Sequence, residues 1–413
     1  MGLALNLRMG LTPGSGGFPD WLLPNVPGNG IQYEFTRGQY WLGSGPTAQG
    51  NVLTNVRNSD ALFDNTAGVY STFGPNVPAI TDRGLYPGGQ RTNLVPNNTY
   101  QGASVGGAFP TGWVVQNSTG VVWSVEGLGT GVDGLPYIDV RISGTNSSGV
   151  TQYPQVQFST GTSPITGNLT ASMRLEVLSA TQSGRVAEIN GSPSQFVIPN
   201  TDPAVYDVRL TRSFVAGNSL TYRLVSEMTS GNSIDNRYRL SRIQLEEASF
   251  ASPPILTAGA PATRLADDIV NPNFAAHAAA FGFASGMAAL ARVNLTRLGD
   301  GAARRITTFG TAADGAYIEF TTANTFKAVL RKASADAVTL TSGTVSATGV
   351  YDVTAQFEAG SYSLTVSDGI AGAASASAET LPAAIASAAY IGQSASTTLH
   401  TESPLERLAM WGV

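Results

Sequence analysis

The chain has no cysteine among its 413 residues, and of its 23 basic residues only Lys327 and Lys332 are lysines. The missing cysteine excludes disulfides, thiolate chemistry and cysteine-ligated zinc. Charge is scarce too: charged residues make up 12% of the chain, about half the usual share. The net charge is −5 with no block of like charges, which argues against nucleic acid and anionic membranes as partners. No apolar run reaches the length of a transmembrane helix. "MGLALNLRMG" is too short an apolar run for a signal peptide, and Arg8 interrupts it, so no secretion signal is expected.

Hydrophobic residues, at 42%, suffice for real cores, and the length allows two or three domains. Glycine, serine, threonine and asparagine fill the place of the missing charge, a composition that favours short strands joined by turns. Residues 1–92 are rich in Gly, Pro and Asn with scattered aromatics. They read as an extended segment that packs on something else, with short strands at "IQYEF" and "GVYSTF". Residues 93–257 carry repeated period-two alternation, residues 258–269 read as a linker, and residues 270–413 return to strands.

The alternation assigns faces. In "YIDVRIS", Ile138, Val140 and Ile142 share one face, with Tyr137, Asp139 and Arg141 on the other. In "YPQVQFS", Val156 and Phe158 oppose Tyr153, Gln155 and Gln157. Met173, Leu175 and Val177 align, as do Tyr206, Val208 and Leu210, and Leu220, Tyr222 and Leu224. "FAAHAAAFGFASGMAALARVN" has helix-forming alanines, but its second half alternates Ala289, Ala291 and Val293 with Leu290, Arg292 and Asn294, as a strand does. "RIQLEE" closes the first strand-rich unit, with Ile243 and Leu245 inward and Arg242, Gln244 and Glu246 outward, before Pro253 and Pro254 end the ladder. The expected fold class is all-β: an extended N-terminal segment followed by two antiparallel β-sandwiches.

Two stretches carry a resemblance. "QRTNLVPNNTYQGASVGGAFPTGW" (90–113) together with "QLEEASFASPPILTAGAPATRLADD" (244–268) resembles paired boundary motifs of bacteriophage fibre and spike proteins, in which they bracket a carbohydrate-binding-like jelly roll. The C-terminal "AYIGQSASTTLHTESPLERLAMWGV" resembles the closing strands of a concanavalin- or laminin-G-like sandwich. The resemblance covers residues 80–413. It implies a non-enzymatic virion surface protein, a tail fibre or head spike, that forms homotrimers and binds bacterial surface polysaccharide. Its N-terminal segment would meet other virion proteins, and it would be made in the host cytoplasm. A purely structural decoration or adaptor protein is the first alternative; a polysaccharide depolymerase is the second, although no long β-helical repeat is visible.

Sugar binding calls for aromatic faces beside amide, carboxylate and guanidinium groups. The outward sets Tyr137, Asp139, Arg141 and Tyr153, Gln155, Gln157 meet that description. Trp113 and Trp123 read as core. "GASVG" fits a nucleophile elbow around Ser104, but Gly107 and Pro110 oppose the helix that motif requires. "GTGVDG" (129–134) fits a dinucleotide fingerprint, but a strand follows where a helix is needed, so it reads as a hairpin connection. His277 and His400 have no evident partners for a metal or a triad. No cofactor is expected; the resemblance to laminin-G-like sandwiches leaves calcium open, for which Asp267, Asp268 and Asp368 are available without forming a recognisable loop.

Overall fold

A computed structural model describes residues 19–190, 195–199, 201–298, 303–395 and 400–413; the "MGLALNLRMG" stretch lies outside them. Strands account for 52% of the chain and helix for 4%, with several antiparallel sheets, so the fold is all-β.

The alternating segments form the strands expected of them. One sheet runs in the order Val121–Thr130, Pro136–Thr145, Ser233–Glu246, Gly167–Ser179, Ala204–Phe214. A second runs Val114–Gln116, Gln155–Thr162, Ser219–Val225, Gly184–Ile189, Gln195–Ile198. Both sheets feed one hydrophobic core: Ile138, Val140, Ile142, Leu175 and Val177 from the first meet Val156, Phe158, Tyr222 and Leu224 from the second. Trp113 and Trp123 lie in this core, as expected, with the Trp113 ring edge-on to Phe158.

A second core lies between two further sheets. One places Gly286–Leu295 between Gly349–Glu358 and Leu405–Gly412. The other runs Ala335–Thr344, Thr325–Lys332, Gly315–Phe320, Arg304–Gly310, Ala389–Ile391, Asp268–Val270, Thr54–Val56. Within the alanine-rich stretch, Phe274–Ala280 is a short helix and Gly286–Leu295 the expected strand, with Ala289, Ala291 and Val293 fully buried.

Three expectations require correction. The described part of residues 1–92 is not an extended segment. Gly30–Glu34 pairs with Leu405–Gly412 in register Ile31 with Met410 and Tyr33 with Leu408, and Thr54–Val56 pairs with Asp268–Val270. Ile31, Tyr33, Phe35, Val52 and Leu53 belong to the second core, so these residues complete it. The segment 258–269 is not a bare linker either: Ala262–Arg264 pairs with Arg91–Asn93, and both Arg264 and Asp267 are buried. In "RIQLEE", Ile243 and Leu245 point inward, but Gln244 and Glu246 are buried as well. The chain doubles back over them, and the amides of Ser252 and Ile255 donate to Glu246 Oε1 (2.8 Å) and Gln244 Oε1 (2.7 Å).

The two boundary stretches form one clasp. Asn93 pairs with both Glu246 and Ala262, and Arg91 with Arg264. The Asn93 and Asn98 amides both donate to the carbonyl oxygens of Ile243 and Ile255. Buried amides that answer this many backbone groups hold the two stretches together.

Beside the clasp, a charged pair ties the N-terminal region to the start of the second unit. The Arg57 guanidinium and the Asp267 carboxylate form a fully buried ion pair. Arg57 also donates to the carbonyls of Ser59, Phe73, Gly74 and Val77, and Asp267 accepts from Asn55 and from the Gly88 amide.

Candidate functional site

The two sequence-derived sets do not come together. Tyr137, Asp139 and Arg141 lie on the outer face of one sheet and Gln155 and Gln157 on the other sheet, with the first core between them. Tyr153 precedes the second strand and is 47% exposed. Gln155 is buried, donating to Gln116 and accepting from Arg223, which is itself paired with Glu188. Its amide therefore serves the sheet.

On the first sheet the outward charges pair across strands. Arg239 holds Asp139 with two bonds of 2.8 and 3.0 Å and lies 3.9 Å over the Tyr137 ring. Arg141 holds Asp235 with bonds of 2.7 and 2.8 Å, and Arg237 reaches Glu126 at 3.0 Å. The Arg141 contact pulls the Asp235 carboxyl below the ordinary range, and Asp235 raises Arg141 in turn. This half of the face is a ladder of satisfied charges.

Farther along the same face, the ladder gives way to a furrow. At one end is a cavity of about 230 Å³ where three parts of the chain meet: the hairpin Ala61–Asp64 with Tyr70–Phe73, the outer face of Ala204–Phe214, and the turns around Arg297 and Glu402. Phe63, Tyr70 and Tyr86 supply rings, and Arg83, Arg209, Arg264 and Arg297 supply cations against Asp64 and Glu402. A shallower hollow continues it, sharing Tyr70, Arg209 and Ser252 and adding Arg174, Asp207 and Arg242. A third hollow shares Arg174 and ends at Tyr137, Glu176 and Arg239. The furrow thus arrives at one of the sequence-derived residues from the side.

The hairpin is docked firmly. The Tyr70 amide donates to the Asp133 carbonyl at 2.9 Å, and Arg242, bonded to the Asp133 carboxylate at 2.7 and 2.9 Å, lies 4.9 Å over the Tyr70 ring. Burial pushes the Tyr70 hydroxyl up to about 12, so it stays a neutral hydrogen-bonding group.

Arginine positions differ in how they are satisfied. Glu402 takes ion pairs from Arg91 and from Arg297 (2.6 and 3.0 Å), and both guanidinium groups stack on Phe250. Arg264 is only 2% exposed; its Nη2 donates to the Gly89 carbonyl, while Nε and Nη1 have no hydrogen-bond partner among the described residues. Burial lowers the pKa of Arg264, opposed by the nearby carboxylates of Glu402, Asp267 and Glu246. Arg209 is exposed and Arg174 half-buried, and neither forms an ion pair among the described residues.

The alternation rule that selected Tyr137 also places Arg174 and Arg209 on wet faces, in "MRLEV" and "YDVRL", so their signal was present. Tyr70, Arg83 and Glu402 come from distant segments, and nothing local in the sequence brings them together.

The literal enzyme motifs do not have the supports they need. Ser104 lies in a turn whose Oγ accepts from the Ala108 amide, and Gly129–Gly134 spans the hairpin between Val121–Thr130 and Pro136–Thr145. His277 sits half-buried on the short helix, and His400 is buried with Nε2 2.9 Å from the Asp267 carbonyl. Of the three calcium candidates, Asp267 is spent on Arg57, Asn55 and Gly88, Asp268 accepts from Gln393, and Asp368 is exposed in the turn after Ser361–Val366. No cluster of three or more metal-ligating side chains occurs among the described residues.

No protein-family model matches the sequence. No curated protein matches it either.

Proposed function

We propose that this chain is a virion structural protein, a fibre or spike of a tailed phage or phage-like particle, that binds host cell-surface polysaccharide without cleaving it. In this reading residues 93–257 are a carbohydrate-binding-like jelly roll and residues 270–413 a concanavalin- or laminin-G-like sandwich. The protein assembles as a homotrimer and meets other virion proteins through its N-terminal region. Three copies per spike and many spikes per particle multiply modest affinities.

The observation that carries the reading is the clasp. The two stretches whose sequences resemble fibre boundary motifs are paired strand to strand and share buried amides. Such pairing is what two motifs that bracket one unit require, and it supports the reading. The furrow beside the clasp adds support, since rings, guanidinium groups and carboxylates together are what a sugar surface requires. Sizing of the purified protein tests the assembly: a trimer is expected, and a monomer at micromolar concentration would count heavily against a fibre.

The satisfied charge ladder around Asp139 and Arg141 favours a second reading for that half of the face, a decoration or adaptor protein whose sheet meets another virion protein. Crosslinking within assembled particles separates the two: Tyr137 lies in an open furrow under the first reading and beneath a neighbouring subunit under the second.

A further inference from the structure

We propose that the furrow is a site for an acidic polysaccharide, with the junction cavity receiving the carboxylate of a single sugar residue and the polymer running past Arg209 and Arg174 toward Tyr137. This rests on the polysaccharide reading above and specifies the chemistry of its ligand.

The charge balance points to an anion. The chain as a whole is acidic at −5, yet the cavity wall has four arginines against two carboxylates. One of those carboxylates, Glu402, is already shared between Arg91 and Arg297. Arg264 contributes a buried guanidinium to the wall, with the carboxylates of Glu402, Asp267 and Glu246 nearby but two of its donors, Nε and Nη1, without a hydrogen-bond partner among the described residues, which costs free energy. Arg209 and Arg174 continue onto the open face without ion pairs of their own among the described residues, although Asp207, the cross-strand neighbour of Arg174, and Glu176 line the same hollows.

The choice of a sugar carboxylate rests on the rings. A planar guanidinium fork matches a carboxylate or a phosphate alike, whereas aromatic walls suit the CH faces of a sugar ring. Phe63, Tyr70 and Tyr86 provide such walls around the arginines. The cavity volume of about 230 Å³ suits one ring-sized group, and the hollow at Tyr137 and Arg239, of about 240 Å³, has room for another along the polymer. Nucleic acid is disfavoured by the acidic chain and its near-absence of lysine.

The test is titration of the full-length protein with an oligogalacturonate, with the same oligomer after carboxyl reduction, and with inorganic phosphate. Binding of the uronate and loss of binding on carboxyl reduction are expected. Arg209→Ala and Arg174→Ala, both on a wet face and so tolerated by the fold, should each weaken binding about tenfold, the scale of one charge-assisted contact. Lys327→Ala, on the other unit, should leave it unchanged. Arg264→Met should abolish binding, with circular dichroism confirming a folded protein. Equal binding of the reduced oligomer, or no binding of the uronate, overturns the proposal; displacement by millimolar phosphate as effective as by galacturonate reduces the site to a simple anion pocket and overturns it as well. Retention of the protein on intact bacteria separates the two proposals. Polysaccharide-dependent retention that survives both arginine substitutions sinks this inference alone, while absence of any such retention sinks the reading on which it rests.

Discussion

Asp267→Ala is predicted to be among the most damaging single substitutions in the protein. The carboxylate is fully buried and answers three groups at once: the Arg57 guanidinium, the Asn55 amide and the Gly88 backbone N–H. Removing it leaves a buried cation without a counter-charge, which typically costs about 3–5 kcal/mol. The orphaned Gly88 amide adds about 1–3 kcal/mol, partly offset if water enters the space. A loss of roughly 4 kcal/mol corresponds to a fall in melting temperature of about 8–16 °C for a unit of this size. Asp267→Asn keeps the shape and loses the charge, so it should fall between wild type and alanine. The decisive assay is a double-mutant cycle by calorimetric unfolding. Arg57→Met removes the stranded cation, so Arg57→Met/Asp267→Ala should cost at least about 2 kcal/mol less than the two single losses added together. Additivity within about 0.5 kcal/mol would show that the pair does not couple the N-terminal segment to the second core, and the reasoning would fail.

Other outcomes follow from the same contacts. Burial holds His400 below its usual value of 6.5, so its neutral form is favoured in the fold. Its contribution is complete above about 6.5, the unfolded value, and is lost as pH falls through the lower folded value. Stability should therefore decline on mild acidification, and His400→Gln, which keeps a donor but does not titrate, should flatten that slope in urea titrations. Gly392 has a φ of +72°, and a Cβ there would run into the Pro87 ring, so Gly392→Ala should destabilise the protein by about 2–4 kcal/mol in thermal melts. A fragment spanning residues 90–268 contains every member of the first core and the clasp, and should fold alone by circular dichroism. A fragment spanning residues 270–413 lacks Ile31, Tyr33 and Phe35 and exposes the edge of Leu405–Gly412, and should aggregate on expression.

Much of the first unit could be read from its sequence because its sheets each have one wet face. Ile138, Val140 and Ile142, or Met173, Leu175 and Val177, alternate cleanly with polar residues, and all are buried. The N-terminal strands were hidden by the opposite condition. All five residues of Gly30–Glu34 are buried, because the segment around Trp21 covers the second face, where Gln32 donates to the Trp21 carbonyl at 2.6 Å and accepts from the Leu23 amide. A strand covered on both sides loses its period-two signature. Gln244 and Glu246 misled for a related reason: their polarity implied water, whereas backbone amides of a returning chain take its place. Tyr137, Asp139 and Arg141 were correctly placed on an outer face, but alternation cannot show that Arg239 and Asp235 already occupy their charges. The furrow itself joins segments more than a hundred residues apart, and only the folded chain places Tyr70 and Glu402 along one wall.

The central claim, that this chain is a glycan-reading virion protein, is tested most directly by retention of the labelled, purified protein on a panel of intact bacterial strains, with and without their surface polysaccharide removed. The account predicts retention on at least one strain, lost when the polysaccharide is stripped. Retention that survives stripping, or none across a panel that includes the host, would contradict it and leave the structural decoration protein as the better description.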